Sequence, residues 1–286
     1  MSEKIGINLG NVQKTMLLPL WGRAVETQKE HPLLVDRTAR EMVERVDYDF
    51  STITSNISPL SQAAWIMRSL YVDDILNNFL ARHPHGTVVN IGCGLETNFE
   101  RVDNGLLTWY DLDLPDVIAL RQQFLKESDR RKFLAGSFLD DAWLDQIQVT
   151  DGVLFVAAGV FYYFEESEIK AFFIRLADRF PGCETVFDVS SPTGVKVANK
   201  RVIESAGLDE RSYLKWGLKN TAVLTSWDPR FQLLETRFYF KHKGLDRRVK
   251  FAGFISDLMK IQYLVHMRFG KARKTENHRD IRHLNI

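Results

Sequence analysis

The 286-residue chain is 45% hydrophobic and 26% charged, with 17 glycines and 8 prolines, a globular composition with enough apolar material for one large α/β core or a core plus a cap. Lys and Arg total 38 against 37 Asp and Glu, so the near-neutral field argues against nucleic acid or a membrane surface as partner. The two cysteines, Cys93 and Cys183, lack paired or metal-type spacing, which speaks against a disulfide framework and fits a reducing, cytoplasmic compartment.

Along the chain, the apolar run at residues 16–21 is too short for a signal core or a membrane span. Residues 17–84 read as helical. Leu34, Ala39, Met42, Val43 and Val46 recur near helical spacing, and Trp65, Val72, Leu76 and Phe79 share one face of a helix over residues 61–83. Ser58 followed by Pro59 is a start signal, since Ser caps and Pro suits the first turn.

From residue 87 to about 190 short, often β-branched runs alternate with helix-length segments. The runs are "TVVNIG", "LTWYDLD", "RKFLAGSF", "DGVLFVAAGV" and "ETVFDVS"; the helical segments cover residues 115–128 and 165–179. That alternation predicts a mostly parallel sheet with crossover helices. After Pro192 come further helical segments. "FQLLETRFYFKH" and "KIQYLVHMRFG" then close the sheet edge as a hairpin-like pair, and the basic segment from Arg268 onward reads as a solvated tail.

The chemistry concentrates in "VVNIGCGLETNFERV". Two glycines after a strand let backbone approach a ligand, and a helix opening near Leu95 would offer unpaired N–H groups. A dinucleotide turn would place a third glycine where Thr97 stands, which disfavours a nicotinamide-dependent dehydrogenase. In "WYDLDLPDV", Asp113 follows Gly92 by 21 residues, the place for a strand-end carboxylate that accepts from ribose hydroxyls. These signals predict a nucleoside ligand without demanding a pyrophosphate.

The turn, the segment "WYDLDLPDVIALR", the N-terminal "LWGRAVETQKEHPLLVDRTA", "AAWIMRSLYVDDIL" and "GVFYYFEESEIKAFFIRLADRFPG" together resemble the leucine carboxyl methyltransferase family, in particular its polyketide O-methyltransferase branch. The resemblance implies a class I, Rossmann-like α/β fold with a mostly parallel seven-stranded sheet and an antiparallel last strand. An N-terminal helical cap would span residues 1–84 and the methyltransferase domain 85–286, with a helical lid inserted at about 192–229. It also implies S-adenosylmethionine as cofactor. Gly92 and Gly94 would approach its methionine part, flanked by Asn90 and Cys93. Asp113, beside Leu114, would hold the ribose, Arg68 the carboxylate, and Ser137 with Phe138 would face the adenine. Arg23 would belong to a segment folded over the site. Tyr162 and Tyr163 would line the acceptor pocket with the aromatic stretch "SYLKWGLKNTAVLTSW".

Two positions depart from the family pattern. Glu96 stands for the Asp of the turn. Ala158 stands where the family places a Glu that meets the cofactor's amino group, so binding is weakened or passes to a backbone carbonyl near Ala157. No histidine or acidic cluster suggests a base or a metal, which favours a carboxylate acceptor, already ionised at neutral pH, over a phenol. The expectation is an O-methyltransferase acting on a small molecule, as monomer or homodimer. A non-catalytic cofactor-binding partner and a protein C-terminal carboxyl methyltransferase are the alternatives.

Overall fold

The computed structural model describes residues 4–7, 10, 14–54, 57–200, 204 and 213–270. The basic tail beyond 270 and part of the expected lid lie outside the described residues. Helices α1 (Leu17–Thr27), α2 (Arg37–Arg45), α3 (Ser51–Thr54) and α4 (Pro59–Arg82) come first, with a short parallel pair, β1 (Ile5–Gly6) and β2 (Val46–Asp47), joining residues near the start of the chain to the end of α2. The helix predicted around Leu34 and Val46 is shorter than its apolar pattern. Asp36 caps it by accepting from the Ala39 N–H, and Val46 has passed into β2.

α4 starts where the sequence says. The Ser58 hydroxyl accepts from the Ser61 N–H, Pro59 occupies the first turn, and the helix stops one residue before the His83–Pro84 pair, where proline disfavours helical backbone in its predecessor. Trp65, Val72, Leu76 and Phe79 are all buried.

Seven strands follow: β3 (Thr87–Ile91), β4 (Thr108–Asp113), β5 (Arg131–Ala135), β6 (Val153–Ala157), β7 (Glu184–Val189), β8 (Phe231–Phe238) and β9 (Tyr263–Phe269). Their spatial order is β5-β4-β3-β6-β7-β9-β8. β9 runs against both neighbours and the other pairings are parallel. Side-chain alternation sorts the buried strands onto two faces. Val88, Trp109, Leu154, Val156 and Leu264 pack under α4. Val89, Phe155, Phe187 and Val265 pack against Ile169, Phe172, Phe173 and Leu176 of α7 (Glu166–Arg179). Chain order reverses between β3 and β6, which makes the carboxyl ends of β3, β4 and β6 the natural place for a ligand.

Three local expectations change. The helix after the glycine turn, α5 (Asn98–Val102), has only five residues and begins at Asn98. The helix expected over 115–128 is α6 (Pro115–Arg121); it ends early because the chain then turns back to bury Leu125 beside Leu120. β8 and β9 pair antiparallel, but residues 239–262 hold α10 (Arg247–Leu258), capped by Asp246, rather than a hairpin turn. The segment expected to form a lid contributes, among the described residues, α8 (Pro192–Ala198) and α9 (Ala222–Ser226).

Candidate functional site

The glycine turn has a strict backbone requirement. Gly92 and Gly94 take φ of 59° and 45°, a region other residues adopt only with strain. A Cβ on Gly92 would meet Val160 Cγ2 at 2.5 Å, and one on Gly94 would meet Met16 Cβ at 3.3 Å. The turn is therefore pressed between the β6 loop and the start of the N-terminal helices. Asp113, at the end of β4, secures it from the side: Oδ2 accepts from the Gly94 N–H at 2.7 Å and Oδ1 from the Leu114 N–H at 2.8 Å. Burial pushes the Asp113 carboxyl pKa up despite these bonds.

Around the turn lies a cavity of about 740 Å³, the size of a small-molecule site. Arg23, Arg68, Gly92, Cys93, Gly94, Asp113, Leu114, Ser137, Phe138, Ala158, Tyr162 and Tyr163 all line it. Asn90 and Ala157 do not. Asn90 is buried within the sheet, donating from Nδ2 to Asp111 Oδ1 at 3.1 Å, and Ala157 is enclosed in the core at the end of β6. Met16 and Pro19 of the N-terminal region form one wall, and Trp65 of α4 joins them. Phe138 is both wall and core, stacked edge-on with Phe161, Phe164 and Phe172. The aromatic stretch expected at the acceptor pocket mostly faces elsewhere. Leu214 lines the cavity, while Trp216 and Trp227 belong to the core below, Trp227 against Phe173.

The two arginines are buried within a network of acids. Arg23 gives Nε to Asp36 at 2.9 Å, Nη1 to Glu96 at 2.6 Å and Nη2 to the Leu95 carbonyl at 2.9 Å. Arg68 does not pair with Asp73 or Asp74 along its own helix. Its Nη1 reaches Asp188 at 3.2 Å and its Nη2 lies 3.7 Å from Glu96. Asp73 instead holds Arg101 and Asn98. Burial opposes the charge on Arg68, but Asp188 and Glu96 outweigh it and raise its pKa.

Sequence reasoning missed Asp188 and Gln262. Asp188 accepts from the Gly159 N–H at 2.7 Å and from Gln262 Nε2 at 3.1 Å, and the same Nε2 donates to Tyr162 Oη at 2.6 Å. The signal was an Asp inside the otherwise apolar "VFDV": a central-strand acid must find a charge partner. Burial pushes the hydroxyl pKa of Tyr162 and of Tyr163 upward, so neither is a base at neutral pH.

A seven-stranded sheet with one reversed strand, a positive-φ glycine turn at the switch point and a strand-end carboxylate beside it define a class I methyltransferase. The chain belongs to the leucine carboxyl methyltransferase family, whose model matches residues 17–177, and its cofactor is S-adenosylmethionine. It is 31% identical over 230 residues to the tetracenomycin polyketide synthesis O-methyltransferase TcmP of Streptomyces glaucescens, covering 79% of this chain and 83% of that one. It is 28% identical over 193 residues to an S-adenosyl-L-methionine-dependent methyltransferase of Gibberella zeae, covering 62% of this chain and 64% of that protein. Among solved structures, a DUF574 family protein from Streptomyces avermitilis superposes with a TM-score of 0.59 at 14% identity, covering 89% of this chain and 96% of that one. A candidate methyltransferase from Thermobifida fusca gives a TM-score of 0.55 at 12% identity, covering 87% and 94%. These two share the fold.

Proposed function

We propose that this S-adenosylmethionine-dependent methyltransferase methylates a carboxylate oxygen of a small aromatic or polyketide-type molecule. The observation that carries the proposal is the lining of the cavity. Among the described residues no histidine and no lysine reaches it; its ionisable groups are Arg23, Arg68, Glu96, Asp113, Cys93, Tyr162 and Tyr163. Burial raises the pKa of Cys93 and of both tyrosines. A cavity lined by no histidine or lysine, with its Asp113 carboxylate already accepting from two backbone N–H groups, suits an acceptor that arrives ionised. A carboxylic acid, with a pKa of about 4, does so, whereas a phenol at about 10 does not.

The cavity fits the cofactor on its own terms. Gly92, where a Cβ would collide with Val160, keeps the turn free of a side chain at the cavity edge, and Arg68 Nε is a buried donor with no partner among the described residues. Arg68 is the donor for the cofactor's carboxylate, in the fork geometry a guanidinium offers. Asp113 serves the ribose, exchanging its present backbone bonds for hydroxyls in part, and Ser137 with Phe138 borders the adenine. When bound, the cofactor supplies an electrophilic methyl group on a sulfonium. The protein's part is then to align the acceptor oxygen and exclude water. Met16, Trp65, Phe138, Tyr162 and Tyr163 supply the apolar walls for that.

The test is a panel of aromatic carboxylic acids and phenols with methyl-labelled cofactor, assayed across pH. Carboxylic acids should accept label at a rate that is level from pH 6 to 9. A rate that rises towards pH 10 and requires a free phenol would replace the carboxylate by a hydroxyl acceptor.

A further inference from the structure

The cofactor carries an α-ammonium group as well as a carboxylate, and position 158, where the resemblance implies a glutamate for that ammonium, is alanine. We infer that Glu96 receives it instead. The assignment rests on the placement of cofactor groups proposed above.

Among the described residues two carboxylates line the cavity, Asp113 and Glu96. Asp113 already accepts a backbone N–H on each oxygen. Glu96 is 8% exposed and uses only one: Oε1 takes Arg23 at 2.6 Å and faces Arg68 Nη2 at 3.7 Å, while Oε2 is buried with no partner among the described residues. A buried carboxylate oxygen without a donor carries a desolvation cost that a ligand ammonium can remove. The adjacent side chain holds the complementary defect. Arg68, 6% exposed, has its Nε without an acceptor. One orphaned acceptor and one orphaned donor, on two groups already paired with each other, match the ammonium and carboxylate of an amino-acid zwitterion.

The surrounding charge agrees. Arg23, Arg68 and Arg101 are bonded to Asp36, Asp73, Glu96 and Asp188, four acids on three guanidinium groups. That imbalance leaves one negative charge for a ligand whose sulfonium form is a net cation. Glu96 Oε1 stays on Arg23 while the residue lines the cavity.

Calorimetric titration with S-adenosylhomocysteine, and with its analogue lacking the amino group, tests this. Wild type should favour the amino form by about tenfold or more, the scale of a charge-assisted hydrogen bond. Glu96→Gln should lose that preference and bind the deaminated analogue as wild type does. Equal weakening for both ligands would make Glu96 a mere support for Arg23 and overturn the assignment. Because Glu96→Gln could disturb that support, Ala158→Glu gives an independent reading. With the ammonium already satisfied by Glu96, the added carboxylate should change affinity for S-adenosylhomocysteine by less than about threefold; a gain of about tenfold would show the ammonium unsatisfied in wild type and refute the role of Glu96. Failure of wild type to bind either nucleoside would instead contradict the cofactor site itself.

Discussion

Asp188 on β7 and Arg68 on α4, 120 residues apart in the chain, meet at 3.2 Å with both side chains buried. This bond joins the sheet to the helix that covers it and sets the guanidinium at the cavity wall. Arg68→Met should deprive the buried Asp188 carboxylate of this guanidinium, leaving it hydrogen bonds from neutral donors such as the Gly159 N–H and Gln262. We expect a loss of about 3 kcal/mol in chemical denaturation, the scale of an abandoned buried charge. An unchanged denaturation midpoint would mean that the pair holds nothing together.

Much of the fold could be read beforehand, for definable reasons. β3, β4, β6 and β7 are short apolar runs closed by glycine, aspartate or serine, and α4 carries both a Ser58 cap and a continuous buried stripe. α10 escaped notice because its large apolar residues Phe251, Phe254 and Leu258 are exposed, so its pattern points away from any core. In the site, Gly92, Gly94 and Asp113 were legible because a local turn needs them. The ion network was not: Arg23 and Glu96 lie 73 residues apart, and no local periodicity encodes such pairings.

Gly92→Ala tests the turn. The substitution adds both left-handed strain, with φ at 59°, and a contact with Val160 at 2.5 Å. Gly105 is the control, with φ of 79° and no atom within 4 Å of a Cβ. Gly105→Ala should cost about 1 kcal/mol from strain alone, and Gly92→Ala at least about 2 kcal/mol. Thermal unfolding of both variants settles it; equal losses would show that Val160 gives way freely.

Glu184 governs stability in acid. It is buried, and burial alone would raise its pKa, but hydrogen bonds from His266, Arg82 and Arg268 prevail and hold it well below the usual carboxylate range. A depressed folded pKa adds stability that is fully present above the unfolded value of about 4.3 and is lost as pH falls through the folded one. Wild type should therefore lose stability below about pH 4.3 more steeply than Glu184→Gln. Parallel slopes of unfolding free energy against pH, for the two proteins between pH 5 and 3, would remove Glu184 from this role.

Asp113→Ala should weaken cofactor binding by about 1.5–3 kcal/mol, the worth of hydrogen bonds to a charged group. The same variant frees the Gly94 and Leu114 N–H groups that Asp113 now engages, so its melting temperature should be measured beside its affinity. Unaltered affinity for S-adenosylhomocysteine in a calorimeter would contradict the ribose assignment.

The choice of acceptor atom is tested most directly by locating the transferred methyl group on a molecule that offers both. Hydroxy-aromatic acids, supplied one at a time with methyl-labelled S-adenosylmethionine at pH 7, present a carboxylate and a phenol to the same cavity. A cavity lined by no histidine or lysine among the described residues should place the label in a methyl ester, released as methanol by mild alkali. Label that survives alkali as an aryl methyl ether would contradict carboxylate methylation.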